Sequence, residues 1–300
     1  MRNFLAYTEI KTKITSVFAF LLSLAYLSYQ RQTISFGLTA LFFVAMFTFD
    51  LTTTAINNYI DTKTNGQVLP FSRRSAFFII LLLFAISAAA GILLVFFTDI
   101  VVLVVGALCF LCGILYTGGP VPISRQPLGE LLSGIFYGLF IPFLILYINM
   151  PTGTFFDLGA DEQTVRITLK IWPIIALLLL SVFPVCATAN IMLANNICDV
   201  EKDVAVRRFT LPYYLGNKAS LYLFAILYYA TYAAAILMVI WGMLPALCLL
   251  YLLTILPVQK NIGVFFKKQD KASTFIVSIK NYVITMGAIS LLVFAGRFVP

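Results

Sequence analysis

The chain has 300 residues, of which 61% are hydrophobic and only 11% charged, with a net charge of +8 and no histidine. A soluble domain carries about 25% charged residues, so this composition is that of an integral membrane protein. Without histidine there are no imidazole bases, imidazole metal ligands or histidine pH switches, and any chemistry must run on carboxylates, amides, hydroxyls, phenols, Lys and Arg.

A membrane-crossing helix needs about 20 mostly apolar residues. Runs that meet this rule occupy 14–29, 34–56, 75–97, 100–116, 131–148, 171–194, 219–241, 244–258 and 278–298. They predict an all-α fold: one polytopic membrane bundle of nine transmembrane helices, a single domain over residues 1–300. Glu9, Lys11 and Lys13 lead directly into the first run, which continues without an A-x-A-like site. That pattern is not a cleavable signal peptide, so the first helix is expected to be retained.

Orientation follows from the cations. Sixteen of the twenty Lys and Arg residues fall at the N-terminus or after the second, fourth, sixth and eighth runs, whereas Arg31, Arg166, Lys170 and Arg297 lie on the other side. The positive-inside rule makes the richer side cytoplasmic, with the protein expected in the cell membrane. The same rule accounts for the net charge without nucleic acid as a partner. The opposite side is expected to hold short turns and one solvated acidic loop around Asp157, Asp161 and Glu162.

Two of these runs close on the same pattern. The second ends in Ala55-Ile56-Asn57-Asn58-Tyr59-Ile60-Asp61 and the sixth in Leu193-Ala194-Asn195-Asn196-Ile197-Cys198-Asp199, continuing to Asp203. On a helix, residues four apart share a face, so Asn57 stacks with Asp61, and Asn195 with Asp199 and Asp203. Oxygen ligands without His or Cys suit Mg²⁺, and carboxylate-held Mg²⁺ ordinarily grips phosphate. The candidate metal ligands are therefore Asn57, Asp61, Asn195, Asp199 and Asp203. A lone Asp at a membrane helix end is ordinarily just solvated; two matching motifs at corresponding ends on one side point to a shared site.

Other polar residues are read alongside these motifs. Asp50 lies on the Asn57 and Asp61 stripe but deeper in the bilayer, where a carboxylate needs a polar partner or a substrate contact. Lys11, Lys13, Arg73, Arg74, Arg125, Arg207 and Arg208 share the motif side, and such cations neutralise phosphate oxygens that a metal leaves uncovered. Each of them alone would pass as positive-inside decoration. Cys109 and Cys112 have redox or zinc spacing but sit mid-run with no second pair, so they read as apolar filler, and no disulfide is expected.

These residues resemble the UbiA superfamily of intramembrane prenyltransferases. Asn57-Asn58-Tyr59-Ile60-Asp61-Thr62-Lys63-Thr64-Asn65-Gly66 is similar to that family's N-D-x-x-D-x-x-x-D signature, and Asp199-x-x-x-Asp203 to its D-x-x-x-D. Asn195-Asn196 before the second motif, Thr210-Leu211 and Leu215-Gly216 after it, and the Tyr116-Thr117-Gly118-Gly119-Pro120 and Leu128-Gly129-Glu130 segments most resemble the branch that prenylates 1,4-dihydroxy-2-naphthoate. There are departures: Asn58 and Asn65 stand where the family often has Asp, and Arg207 where a Gly commonly precedes the basic residue matched by Arg208.

The resemblance implies transfer of a polyprenyl group from its diphosphate to an aromatic acceptor, 1,4-dihydroxy-2-naphthoate, within the lipid bilayer and with Mg²⁺ as cofactor. Diphosphate and CO₂ would be lost, giving demethylmenaquinone. It implies that Asp61, Asp199 and Asp203, helped by Asn57 and Asn195, hold Mg²⁺, with Lys11, Arg74 and Arg208 stabilising the leaving group. Arg73, Tyr116, Arg125 and Asn196 complete the substrate-binding set. Tyr59 and Tyr116 are candidates to face an allylic cation, and Gly134, Gly138 and the segment 88–91 to pack closely or line a groove for the tail.

Other acceptors, namely 4-hydroxybenzoate, homogentisate or haem, remain open within this class. A phosphatidyl transferase is disfavoured by the missing D-G-x-x-A-R signature. A cation-coupled transporter built on Asp50, Asp61 and Asp199 is the alternative from another class.

Overall fold

The structure is a computed structural model and describes residues 2–62, 68–119, 122–161 and 163–299. Among the described residues, nine helices are long and apolar enough to cross a membrane: Ile10–Tyr29, Phe36–Asp61, Arg73–Phe96, Ile100–Thr117, Gly129–Asn149, Ile171–Ala205, Leu211–Ile240, Ala246–Lys267 and Ile276–Phe298. They are called the first to ninth spans below. This is the expected all-α membrane bundle.

Local chemistry sets several of the boundaries. Asp99 caps the fourth span, its Oδ1 accepting from Val101 N at 2.9 Å, which satisfies a backbone donor that the helix start leaves open. Ser72 caps the third span in the same way, accepting from Ser75 N at 3.2 Å. Gly242, at φ 69°, lets the chain turn after the seventh span. The eighth span opens as a 3₁₀ helix over Ala246–Thr254 before becoming α-helical.

Two helices run further than hydropathy alone indicates. The second continues to Asp61 and the sixth to Ala205, because Asn and Asp at i and i+4 are tolerated in a helix that leaves the apolar layer. At 1.5 Å per residue, the 35-residue sixth span is about 52 Å long against a hydrocarbon core of about 30 Å. Its polar last turns therefore stand clear of the membrane core. The seventh span is broken at Gly216, φ 75°, and its continuous part begins close to the expected position 219.

The spans form a ring in which the ninth packs against the first, while the fifth and sixth cross at close range. At that crossing a Cβ on Gly138 would lie 2.2 Å from Val185 N and 2.5 Å from its Cα, and one on Gly134 2.9 Å from Val185 O. These two glycines are packing residues, as small-residue helix contacts in membranes require. The fifth span carries a π-helical turn at the crossing, over Phe136–Phe140.

The short N-terminal helix Arg2–Tyr7 docks on the motif end of the second and third spans. Tyr7 Oη donates to Ala55 O at 3.0 Å and to Ala76 O at 3.4 Å. Burial pushes the Tyr7 phenol up to about 12.

The acidic loop expected between the fifth and sixth spans is instead an antiparallel hairpin, β1 Phe156–Ala160 and β2 Val165–Leu169, with Phe156 opposite Leu169 and Gly159 opposite Arg166. Its turn is closed by Asp161, which accepts from Gln163 N at 3.0 Å and Thr164 N at 2.8 Å. Those bonds hold its carboxyl below the usual carboxylate range. The alternation of Val165, Ile167 and Leu169 with Arg166 and Thr168 is the period-2 pattern of a strand, which the acidic residues Asp157, Asp161 and Glu162 obscure in sequence. Glu162 lies outside the described residues.

Candidate active site

Both motifs come to the same end of the bundle because each closes a span that starts on the opposite side. Arg208 links them: its charge acts on Asp61 from the first motif and on Asp203 from the second. Arg125 also acts on Asp61. Arg208 Nε donates to Ser124 O at 2.9 Å and stands 3.9 Å from Asp203 Oδ2, so the loop before the fifth span holds the guanidinium between the motifs.

In the first motif, Asn57 Oδ1 accepts from Thr117 Oγ1 at 2.8 Å. Asn58 turns the other way, as adjacent residues on a helix do, and its Nδ2 donates to Tyr7 O at 2.9 Å and Glu9 Oε1 at 3.2 Å. Lys63, Thr64, Asn65 and Gly66 of the extended motif lie outside the described residues. In the second motif, Lys271 Nζ donates to Asp199 Oδ2 at 2.6 Å and also to Asn195 Oδ1. Asn196 faces inward, donating through Nδ2 to Glu130 Oε1 at 2.7 Å.

Below this mouth lies a cavity of about 530 Å³. Asn57, Tyr116 and Thr117 line its motif end, and apolar side chains such as Phe42, Leu94 and Val102 its far end. Ala88, Gly91, Gly106 and Gly113 keep the wall thin. Part-way down, one polar cluster interrupts the apolar lining. Asp50 Oδ1 receives Lys13 Nζ at 2.7 Å and Tyr137 Oη at 2.7 Å, and its Oδ2 receives Ser16 Oγ at 2.6 Å. A carboxylate at this depth is stable only with such partners.

Among the described residues, no group of three or more His, Cys, Asp or Glu side chains stands close enough to hold a metal ion. Mg²⁺ does not need such a cage: it keeps several waters and takes one or two carboxylates together with phosphate oxygens. The donors fit that pattern. Each motif offers carboxylate with an amide oxygen one turn away, and Asp203 Oδ2 is buried with no hydrogen-bond partner among the described residues.

Comparison with known proteins identifies the family. Residues 16–281 match the UbiA prenyltransferase family. The chain belongs to that family.

A curated relative, 1,4-dihydroxy-2-naphthoate octaprenyltransferase of Bacillus subtilis (strain 168), is 30% identical over 178 residues, covering 59% of this chain. The match spans about half the length of that relative, 50%. Among solved structures, a UbiA homolog from Aeropyrum pernix K1 superposes with a TM-score of 0.65 at 19% identity, over 94% of this chain and 97% of that one. A UbiA homolog from Archaeoglobus fulgidus, bound to GPP and Mg²⁺, gives 0.64 at 13% identity over 99% and 98%. At these identities the structures speak for the UbiA fold.

Two departures from the UbiA pattern have physical explanations. Asn58 ties down the N-terminal segment, a task for an amide donor that a carboxylate would not perform. Arg207 has φ 56°, a left-handed conformation that glycine adopts without steric cost, which explains the glycine common there. Arg208 N then bonds back to Asp203 O at 2.8 Å, so the turn aims Arg208 at the motif.

The candidate set for this UbiA protein divides by location. Asn57, Asp61, Asn195, Asn196, Asp199, Asp203, Tyr116, Arg125 and Arg208 gather around the mouth. Arg73 is drawn aside: its guanidinium donates to Tyr59 O at 3.1 Å and stacks 5.3 Å over the Tyr59 ring. Tyr59, paired with Arg73 and packed on Phe77, is not among the cavity-lining residues. Arg74 and Lys11 have exposed side chains. It is Lys13, two residues on from Lys11, that turns into the bundle. Sequence reasoning assigned no role to Glu130 or Lys271, and no partner to Lys13. Asp50 carried the signal for Lys13, since a deep carboxylate requires a cation and the nearest span start supplies one. Cys109 and Cys112 are free thiols in the cavity wall.

Proposed function

We propose that this protein transfers a polyprenyl group from polyprenyl diphosphate to 1,4-dihydroxy-2-naphthoate, releasing diphosphate and CO₂ and giving the quinol form of demethylmenaquinone, with Mg²⁺ as cofactor. The carrying observation is that two oxygen-rich motifs share one Arg208 charge directly above an apolar cavity of about 530 Å³. A molecule with an anionic head and a long greasy tail matches both halves. The naphthoate acceptor is supported by the Bacillus subtilis relative and by the Asn195-Asn196, Thr210-Leu211 and Leu215-Gly216 segments. The positive-inside asymmetry supports a mouth on the cytoplasmic side of the cell membrane.

Each part of the site then has a task. Asn57, Asp61, Asn195, Asp199 and Asp203 would hold Mg²⁺, which when bound supplies Lewis-acid stabilisation of the departing diphosphate. Arg208 and Arg125 neutralise the remaining phosphate charge as the allylic C–O bond breaks. The aromatic ring of Tyr116, in the cavity wall just below, faces the allylic carbon and stabilises positive charge there. The acceptor ring lies beside Asp50, whose carboxylate accepts from a ring hydroxyl and so raises the electron density of the ring. The ring carbon that bears the carboxylate forms the new C–C bond, and that carboxylate leaves as CO₂, its bonding electrons restoring aromaticity. The apolar wall excludes water, which would otherwise capture the cation.

The test is an assay of membranes carrying the protein with dihydroxynaphthoate, a polyprenyl diphosphate and Mg²⁺, following diphosphate, CO₂ and the mass of the lipid product. Formation of a prenylated naphthoquinol that stops on chelation is expected, and Asp199→Ala lowers turnover by about 100-fold or more while the protein still inserts. Absence of any prenylated product with intact metal would refute the activity, and preference for a benzoate acceptor would refute the substrate.

A further inference from the structure

Lys271 holds two of the side-chain oxygens that the second motif offers. It belongs to the loop between the eighth and ninth spans, and its Nζ reaches 72 residues back in sequence to Asp199 Oδ2, at 2.6 Å, and to Asn195 Oδ1 as well. Asn195 and Asp199 are one helical turn apart, so a single ammonium satisfies both. An ammonium is a compact point charge with three donors and no acceptor on a flexible stem. It therefore takes the oxygen pair that a divalent cation would take, and the two cannot share it.

The placement is built into the loop. Asp270 N donates to Thr274 Oγ1 at 2.8 Å, Thr274 N and Phe275 N donate to Asp270 O at 2.9 and 3.0 Å, and Asp270 Oδ2 accepts from Ser273 N at 2.8 Å. This knot fixes the turn from which Lys271 projects. Beneath the ammonium lies the Phe275 ring, 5.1 Å from Nζ. The neighbouring cations are held differently: Lys202 is 79% exposed at 3.7 Å from Asp199 Oδ1, and Lys268 is 68% exposed and directed at Asp270.

We propose that Lys271 is a tethered counter-ion of the second motif: it occupies the Asn195 and Asp199 oxygens in the metal-free protein, is displaced when a divalent cation binds, and then donates to the diphosphate at the same mouth. The proposal rests on the metal-binding reading of the motifs given above. It makes metal and substrate binding interdependent, because displacement frees a donor for a phosphate oxygen only after the metal has arrived.

The experiment measures binding of Mn²⁺ alone to the full-length protein in lipid nanodiscs by the loss of the free-ion paramagnetic resonance signal. Wild type, Lys271→Ala, Lys271→Gln and Lys268→Ala are compared, followed by titration of inorganic diphosphate onto the Mn²⁺-loaded proteins. Both Lys271 variants are expected to bind Mn²⁺ more tightly, by up to about fivefold on the scale of a partly exposed ion pair. Their affinity for diphosphate is expected to fall, with Lys268→Ala unchanged in both titrations. Equal or weaker Mn²⁺ binding in the Lys271 variants would overturn the counter-ion role. Tighter Mn²⁺ with unaltered diphosphate affinity would overturn the hand-over to substrate. If wild type and variants alike take up no Mn²⁺, the metal reading of the motifs fails first, and this proposal with it.

Discussion

Lys13 and Asp50 meet inside the bundle with Nζ 2.7 Å from Oδ1, each side chain only 4% exposed. Removing one partner leaves the other charge buried and uncompensated, which costs about 3–5 kcal/mol. Lys13→Met and Asp50→Leu are each expected to lower thermal stability by that amount. The double substitution should cost less than either, because no charge is left stranded. Thiol-reactive fluorescence in detergent, reporting exposure of the buried Cys186 and Cys248 on unfolding, supplies the four melting curves of the cycle.

Glycines in this fold divide sharply by what surrounds them. A methyl group on Gly138 meets the Val185 backbone at 2.2 Å, whereas one on Gly91 meets nothing within 4 Å. Gly138→Ala is expected to destabilise on the order of 3 kcal/mol, since neither backbone can yield without separating the fifth and sixth spans. Gly91→Ala should be neutral or stabilising by up to about 1 kcal/mol through helix propensity. The same melts distinguish the two outcomes.

Glu130 is buried, its Oε1 accepting from Asn196 Nδ2 at 2.7 Å while its Oε2 has no hydrogen-bond partner among the described residues. Glu130→Ala strands that amide donor and is expected to cost about 1–3 kcal/mol. Glu130→Gln retains an acceptor oxygen and should cost less than about 1 kcal/mol. Should both variants also lose turnover equally, the lost charge rather than the lost bond would be the cause.

Arg208 acts on both motifs through charge but also holds Ser124 O through Nε at 2.9 Å. Lys preserves the charge and loses the planar fork. Arg208→Lys is therefore expected to raise KM for the prenyl diphosphate several-fold with a modest change in kcat, and Arg208→Gln to reduce kcat/KM by about 100-fold or more. Steady-state kinetics at saturating Mg²⁺ provide the comparison.

Tyr7 gives the fold a defined alkaline limit. Its phenol is pushed up to about 12 from an ordinary value of 10.0, so the folded protein holds that proton more tightly than the unfolded chain. Its contribution is fully present below pH 10 and is lost as pH rises towards 12. Melting temperature followed from pH 8 to 12 should fall more steeply for wild type than for Tyr7→Phe, which has no phenol to ionise.

Much of this architecture is written in hydropathy. Nine apolar runs are separated by residues that water prefers, and the lysines and arginines between them keep one side, so the spans and the shared face of Asn57, Asp61, Asn195, Asp199 and Asp203 can be read before any coordinates. The pairings are a different matter. Lys13 finds Asp50 across 37 residues, Asn196 finds Glu130 across 66 and Lys271 finds Asp199 across 72, and no local periodicity records which cation turns inward. Lys11 and Lys13 look equivalent as letters. Only the 3₁₀ turn over Ile10–Lys13 sends one outward and the other into the bundle. The hairpin escaped for the opposite reason: its signal is local, an alternation in two five-residue strands, and it is too short to stand out beside the acidic residues that read as a solvated loop.

The cavity wall includes Ile92 and Leu103, which are 61% and 43% exposed. A chamber with so open a wall has no floor against which to measure what enters it. On the proposed function, the number of isoprene units attached is then dictated by whichever synthase builds the donor, and an organism could lengthen or shorten its quinone tails without altering a residue of this protein.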